Sequence, residues 1–202
     1  MRKSLGYEIF MTALVLVVIA GLAGALLGLV NHYTEVDEDE LIARKATAVY
    51  DGELVKYVGK EGVGGSADEE VAKNVLGIYV PKEEGKNVYV IVARGTGAYK
   101  GTLDLLVNIT DGEIVKIAAY EANETPGLGS KALKEDYFQK FYHQKITPDF
   151  KGFLLVKHPE EHDDEVSAVS GASKSSTAVT NAVNVAVKWY QNEMEKQKGG
   201  VA

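Results

Sequence analysis

The chain contains no cysteine. That absence excludes an iron–sulfur cluster, a thiolate zinc site, a disulfide and any thiol-linked cofactor, so whatever chemistry the chain performs rests on other groups. Histidine is scarce too, at four residues. His32 and His143 stand alone. His158 and His162 have the spacing of helical metal ligands, but Pro159 between them, with Glu160, Glu161, Asp163 and Asp164 alongside, reads as a solvated acidic loop. Basic residues are outnumbered, 22 Lys and Arg against 29 Asp and Glu, for a net charge of -7. Without a Lys/Arg cluster there is no footprint for a phosphate backbone, and nucleic acid is not expected as a partner. No Gly-x-Ser-x-Gly motif supports a Ser-His-Asp hydrolase. At 202 residues the chain has room for one domain of ordinary size, or one domain plus an appendage.

What is abundant is apolar sequence near the start. Residues 9–30 read IFMTALVLVVIAGLAGALLGLV, uncharged, with Thr12 the one conventional polar side chain. As a helix this run rises roughly 33 Å, enough to cross the hydrocarbon core. In a cleaved signal peptide, with small-residue sites over 21–25, the apolar core spans only about 7–15 residues. This run continues through Leu26, Leu27, Leu29 and Val30, so a retained anchor embedded in membrane lipid is expected. Arg2 and Lys3 precede it, whereas Glu35, Asp37, Glu38, Asp39 and Glu40 follow it before the first cation, Arg44. The positive-inside rule then keeps residues 1–8 in the cytoplasm and sends the chain from residue 31 outside the cytoplasmic (inner) membrane. Gly24-x-x-x-Gly28 admits close approach of a second helix, and ordinary glycine content of a membrane helix accounts for it equally.

Residues 37–50 suit a short helix leading away from the membrane, residues 61–66 a glycine-rich loop, and residues 66–75 a capped helix. Apolar or β-branched runs bounded by turn residues predict strands over 77–80, 88–93, 102–109 and 114–121. The last two flank Asp111-Gly112, the clearest hairpin signal in the chain. An amphipathic helix over 131–141, a strand over 153–156 and a long helix over 177–195 follow, with residues 196–202 as a frayed tail. Strands in runs with helices at intervals indicate an α+β fold with a mainly antiparallel sheet. The expected layout is a juxtamembrane part over 31–95 and a second part over 96–195.

Two segments stand out. Glu124-Thr125-Pro126-Gly127-Leu128-Gly129 places two glycines and a proline within four residues, a tight path that can bring amides up to a planar ligand or a phosphate. By itself it is also simply a turn before a helix. Ser170-Gly171-Ala172-Ser173-Lys174-Ser175-Ser176-Thr177 precedes the last predicted helix, where free amides, small side chains and hydroxyls form a seat for a phosphate. A serine-rich N-cap through Ser176 or Thr177 is the plainer reading. It is not a Walker A loop, which needs Gly-Lys followed by Ser or Thr.

In this order and separation the two segments resemble the membrane-anchored FMN-binding subunits of two ion-translocating assemblies, the Rnf electron-transport complex (its G-type subunit) and the sodium-pumping NADH:quinone reductase (its C-type subunit). That family joins an N-terminal membrane helix to an ETPGLG loop and to a motif Asp-x-x-[Ser/Thr]-Gly-Ala-[Thr/Ser]-x-[Thr/Ser]-Ser. Here ETPGLG is complete, the second motif runs from Ser167 to Ser176, and Ala98-Tyr99-Lys100-Gly101 is similar to the family's Gly-Tyr-x-Gly turn. The likeness is strongest over 97–190, and residues 40–95 carry no matching motif.

The resemblance implies FMN attached covalently, through a phosphoester that a flavin transferase makes to the hydroxyl at Ser173. It implies that Ser170, Gly171, Ala172, Lys174, Ser175 and Ser176 surround the phosphate and that Glu124, Thr125, Pro126, Gly127, Leu128 and Gly129 pass beside the flavin. Amides of residues 174–176 and the Lys174 charge would stabilise the phosphate, Leu128 would meet the ring, and Tyr99, Tyr120 or Trp189 would stack on it. Two positions depart from the motif: Ser173 stands where Thr is commoner, and Ser167 where Asp is usual. The implied role is an electron relay inside an ion-translocating ferredoxin:NAD oxidoreductase, beside its other membrane and peripheral subunits, with no independent catalysis. The corresponding subunit of the quinone reductase, and an anchored module holding FMN without a covalent bond or serving assembly, are the alternatives; a pilin-like protein fits the anchor poorly.

Overall fold

The computed structural model describes residues 5–34, 38–57, 69–83 and 85–199. It divides into two compact units, Met1–Glu40 and Leu41–Ala202. In the first, the apolar run lies on α1 (Leu5–Thr34), and among the described residues this is the one helix long and apolar enough to cross a membrane. Its hydroxyls need no water: Thr12 and Thr34 donate to the carbonyls of Glu8 and Val30 at 2.8 and 2.7 Å. Arg2, Lys3, Glu35 and Asp37, which carry the orientation argument, lie outside the described residues.

The second unit is α+β, as the pattern of runs predicts. After α2 (Glu38–Ala46) come β1 (Leu54–Lys56), α3 (Glu69–Asn74), β2 (Val75–Pro81), β3 (Val88–Ala98), β4 (Gly101–Thr110) and β5 (Glu113–Glu121). The five strands form one antiparallel sheet in sequential order. Asp111 and Gly112 both have positive φ, 51° and 84°, the geometry of a two-residue turn whose twist matches its strands. Tyr99 and Lys100 make the turn between β3 and β4. Beyond the sheet lie α4 (Glu135–Phe138), the parallel pair β6 (Leu154–Val156) and β7 (Glu165–Ser167), and α5 (Ser173–Gly199).

Both faces of the central strands are covered, which is why they read as nearly continuous apolar runs. On one face Ile91, Ala93, Leu103, Leu105 and Val107 pack with Ala178, Val179, Ala182, Val183 and Ala186 of α5, all at most 1% exposed. On the other, Val90, Val92 and Leu106 pack with Ile42 and Ala46 of α2 and with Val49. α5 comes close because Gly95 has no side chain: a Cβ there would overlap the Ala178 carbonyl oxygen and sit 2.8 Å from its carbon.

The structure departs from the sequence expectations in several places. Residues 131–141 do not make one helix. A 3-10 turn (Gly129–Leu133), α4 and a second 3-10 turn (Gln139–Phe141) replace it, because Lys134 is extended at φ -90°, ψ 152°. The break lets Tyr137, Phe138 and Phe141 all reach the core, with Phe141 edge-on to Phe153 at 5.0 Å. The helix expected over 37–50 ends at Ala46 and continues only as turns, and α3 begins its described part at Glu69, the loop 61–66 lying outside the described residues. Strands β1 and β7 carry no period long enough to show in the sequence, at three residues each. α5 starts at Ser173 and runs to Gly199, so hydroxyl residues expected to precede the helix form its first turn, and residues 196–199 are helical. Residues 158–164 form no helix, and His158 Nδ1 lies 2.8 Å from the carbonyl of Pro159.

The loop into β7 is pinned by a carboxylate. One oxygen of Glu160 accepts from Lys140 Nζ and, at 2.8 Å each, from the Ser167 amide and hydroxyl. The Lys140 hydrogen bond, followed by the Ser167 amide, holds this carboxyl down to about 2 from its ordinary value of 4.5. Because the folded value is the lower one, the contribution is complete above about 4.5 and is lost as the pH falls towards 2. In acid-unfolding curves Glu160→Gln is expected to flatten the pH dependence in that window and to be less stable than the wild type near neutrality. Superimposable curves would contradict this role. At the Ser167 departure, then, the serine donates to the Glu160 carboxylate through both its amide and its hydroxyl.

Candidate functional site

The two sequence segments, some fifty residues apart, meet at one cavity of about 550 Å³. It is lined by Tyr99 from the β3–β4 turn, Glu124, Thr125, Leu128 and Gly129 from the loop after β5, and Gly171 through Ser175 at the start of α5. That volume is in the range that encloses a cofactor-sized ligand.

The loop after β5 owes its path to its composition. Gly127 has φ 78°, and the carbonyl of Thr125 accepts from the amides of Leu128 and Ser130, both at 3.2 Å. Ser130 Oγ accepts from the Gly127 amide at 2.9 Å and closes the turn, a role the motif does not advertise. The result lifts Leu128 out, half-exposed at 52%, on the cavity wall. Pro126 and Gly127 form the outside of the turn and do not line the cavity.

Gly171, at φ 77°, turns the chain into α5. The Ser176 amide donates to the Ala172 carbonyl at 2.9 Å, so Ala172 is the last residue before the helix. The amides at the helix start are therefore those of Ser173, Lys174 and Ser175, one residue earlier than the sequence suggests, because helical bonds run from the fifth residue back to the first. Ser173 and Lys174 are exposed and line the cavity. Ser176 does neither. It is fully buried, its Oγ accepts from the Val169 amide at 3.0 Å, and its job is to hold the approach to the helix. Thr177 likewise turns inward on the helix, donating to the Ser173 carbonyl at 2.9 Å. Ser170 is exposed and outside the lining.

The two segments touch through Ser175 and Glu124. Ser175, 2% exposed, donates from Oγ to Glu124 Oε2 at 2.7 Å, and the contact lies directly over Gly129. A Cβ on Gly129 would overlap that carboxylate oxygen and sit 2.6 Å from Ser175 Oγ. Since the Glu124 carboxylate is the far end of a flexible side chain, Gly129→Ala is expected to cost only about 1 kcal/mol of stability, the worth of the broken hydrogen bond. It is expected to disturb ligand retention far more. Unfolding curves beside flavin content check this: an unchanged flavin content would show that the floor does not need the Glu124–Ser175 contact.

Of the three aromatic residues expected to stack, only Tyr99 is at the cavity, a residue 70% exposed, with Lys174 Nζ 5.6 Å from its ring centroid. Trp189 is buried in an aromatic cluster, 5.4 Å from the Tyr89 ring and 6.1 Å from the Tyr57 ring. Tyr120 packs with the α2 side of the sheet, under Lys45. The cavity thus offers an exposed aromatic face and an apolar side chain to a planar group, and three amides plus a lysine to an anion. The residues fit a flavin phosphate.

Residues 98–188, which include every residue lining this cavity, match the family described as the FMN-binding domain. The chain is 30% identical over 196 residues to the G-type subunit of the Na(+)-translocating ferredoxin:NAD(+) oxidoreductase complex of Acetobacterium woodii, covering 91% of this chain and 92% of that one. It is 29% identical over 192 residues to the G-type subunit of the ion-translocating oxidoreductase complex of Methanosarcina acetivorans, covering 90% and 94%. A crystal structure of the C-type subunit of Na(+)-translocating NADH-quinone reductase from Parabacteroides distasonis has a similar fold, with a TM-score of 0.50 at 24% identity over 68% of this chain and 74% of that one. The chain belongs to the family of G-type subunits of the Rnf-type ion-translocating ferredoxin:NAD oxidoreductase complexes.

Proposed function

We propose that this protein carries electrons through an FMN joined covalently to Ser173, within a membrane-bound ferredoxin:NAD oxidoreductase complex. The observation that carries the reading is the position of Ser173. It is the first residue of α5, exposed, on the wall of a cavity that Tyr99 and Leu128 also line. A phosphoester there leaves its remaining negative charge over the first amides of α5, where the helix dipole favours an anion. Lys174 adds a positive charge on the same side. FMN supplies the electron-transfer chemistry when bound, and the chain supplies position and surroundings. Tyr99 and Leu128 flank the ring, and Gly129 leaves room for Glu124 beneath it.

α1 anchors the chain in the cytoplasmic membrane with residues 1–8 in the cytoplasm and the flavin domain on the outer side, where a covalent bond prevents loss of the cofactor by diffusion. The other Rnf subunits are its partners, and a flavin transferase matures it. Co-expression of the full chain with a flavin transferase tests the reading. The expected product is a denatured gel band fluorescent under ultraviolet light, with an intact mass increased by one FMN less one water. Flavin that binds the native protein but leaves on denaturation would establish the non-covalent alternative instead.

A further inference from the structure

The cavity brings charges of both signs together. On its wall are the amides of Ser173, Lys174 and Ser175 and the Lys174 ammonium group. Beside them lies Glu124, partly buried, with Oε2 fixed at 2.7 Å by the hydroxyl of Ser175 in the first turn of α5. An ionised carboxylate only accepts hydrogen bonds. Among the described residues no lysine or arginine forms an ion pair with it. The part of a ligand that reaches Glu124 therefore has to present an N–H or O–H donor. FMN has both, in the imide of its ring and the hydroxyls of its ribityl chain.

We propose that Glu124 is the acceptor that orients the bound flavin and holds its reduction potential down, with Ser175 as the positioning residue that aims the carboxylate. This rests on the reading that FMN occupies the cavity. A fixed negative charge beside a group raises the cost of adding an electron to it, and the effect is large where water is partly excluded. Gly129 belongs to the same device, since any side chain there takes the place of the carboxylate. Removing the Ser175 hydroxyl releases the carboxylate, so it moves the potential in the same direction as removing the charge, by less, and has no effect once the charge is gone.

The test is a redox titration of the flavin in full-length protein matured with its transferase, comparing the wild type with Glu124→Gln, Ser175→Ala and the double variant. Flavin stoichiometry is read by intact mass and folding by thermal unfolding. The expected result is an upward shift of the midpoint potential in Glu124→Gln, a smaller upward shift in Ser175→Ala, and no further shift when Ser175→Ala is added to Glu124→Gln. Vibrational spectra of the ring separate the two donor sources. A shifted imide band in Glu124→Gln assigns the ring N–H, and an unshifted band with a shifted potential assigns a ribityl hydroxyl. Wild-type protein that carries flavin while Glu124→Gln leaves its potential unchanged would overturn the inference alone. A shift from Ser175→Ala that persists in the Glu124→Gln background would also overturn it. Wild-type protein without any flavin would overturn the reading on which it rests.

Discussion

Gly95→Ala is expected to destabilise the soluble domain by about 3 kcal/mol or more and to lower its melting temperature by roughly 6–12 °C. The reason is local and steric. β3 and α5 are the two principal layers of the main core, and their backbones meet at Gly95, where an added methyl group would overlap the Ala178 carbonyl oxygen and lie 3.0 Å from the Ala182 methyl. Neither obstacle is the end of a flexible side chain. The helix has to move as a body or bend, and either response opens the packing of Ala178, Val179, Ala182 and Val183, each of which is fully buried. Val115→Thr, at a strand position 43% exposed, is the control and is expected to stay within about 0.5 kcal/mol of the wild type. Melting curves of the two variants that cannot be told apart would show that α5 is not seated on β3 as described.

The second large effect concerns the hydroxyls at the start of α5, which are chemically alike and differently placed. Ser173→Ala is expected to abolish covalent flavin completely while leaving the fold intact, since Ser173 is exposed and its carbonyl, not its side chain, bonds to Thr177. Ser173→Thr keeps a hydroxyl at the same backbone position and is expected to be labelled. Ser170→Ala is expected to be labelled as well. Ser176→Ala removes the acceptor of the Val169 amide, so it is expected to lose about 1–3 kcal/mol of stability and keep its labelling site. Gel fluorescence and intact mass of the four variants, with their melting temperatures, separate attachment from structure. Labelling that persists in Ser173→Ala would refute the assignment.

The parts of this fold that are legible in the residues alone are those in which a short signal has a single structural solution. Asp111-Gly112 between two β-branched runs makes the turn that Asp-Gly makes, and the five-stranded sheet grows from it. The apolar run of α1 is likewise decided by its length and lack of charge. Elsewhere tertiary packing overrides the local pattern. Residues 131–141 have helical spacing, yet Lys134 is extended so that three aromatic side chains can enter the core. Trp189 has the chemistry to stack on a flavin, but nothing local shows that Tyr57 and Tyr89 enclose it. At the cavity, both segments can be named from their residues. Their meeting through Ser175 and Glu124 cannot, because the contact joins positions 51 residues apart through a glycine whose only visible property is its smallness. Glu160 reads as one charge in an acidic loop. Only the geometry shows it satisfying the Ser167 amide.

In the proposed function the flavin is joined to one particular oxygen at the start of α5, Ser173 Oγ. Proteolysis of the matured full chain, followed by fragmentation mass spectrometry of the peptide spanning residues 168–188, tests it most directly. The expected result is a flavin phosphoryl group on Ser173, with Ser170, Ser175, Ser176 and Thr177 unmodified. Flavin localised to any of those four residues, or a peptide that carries none, would contradict it.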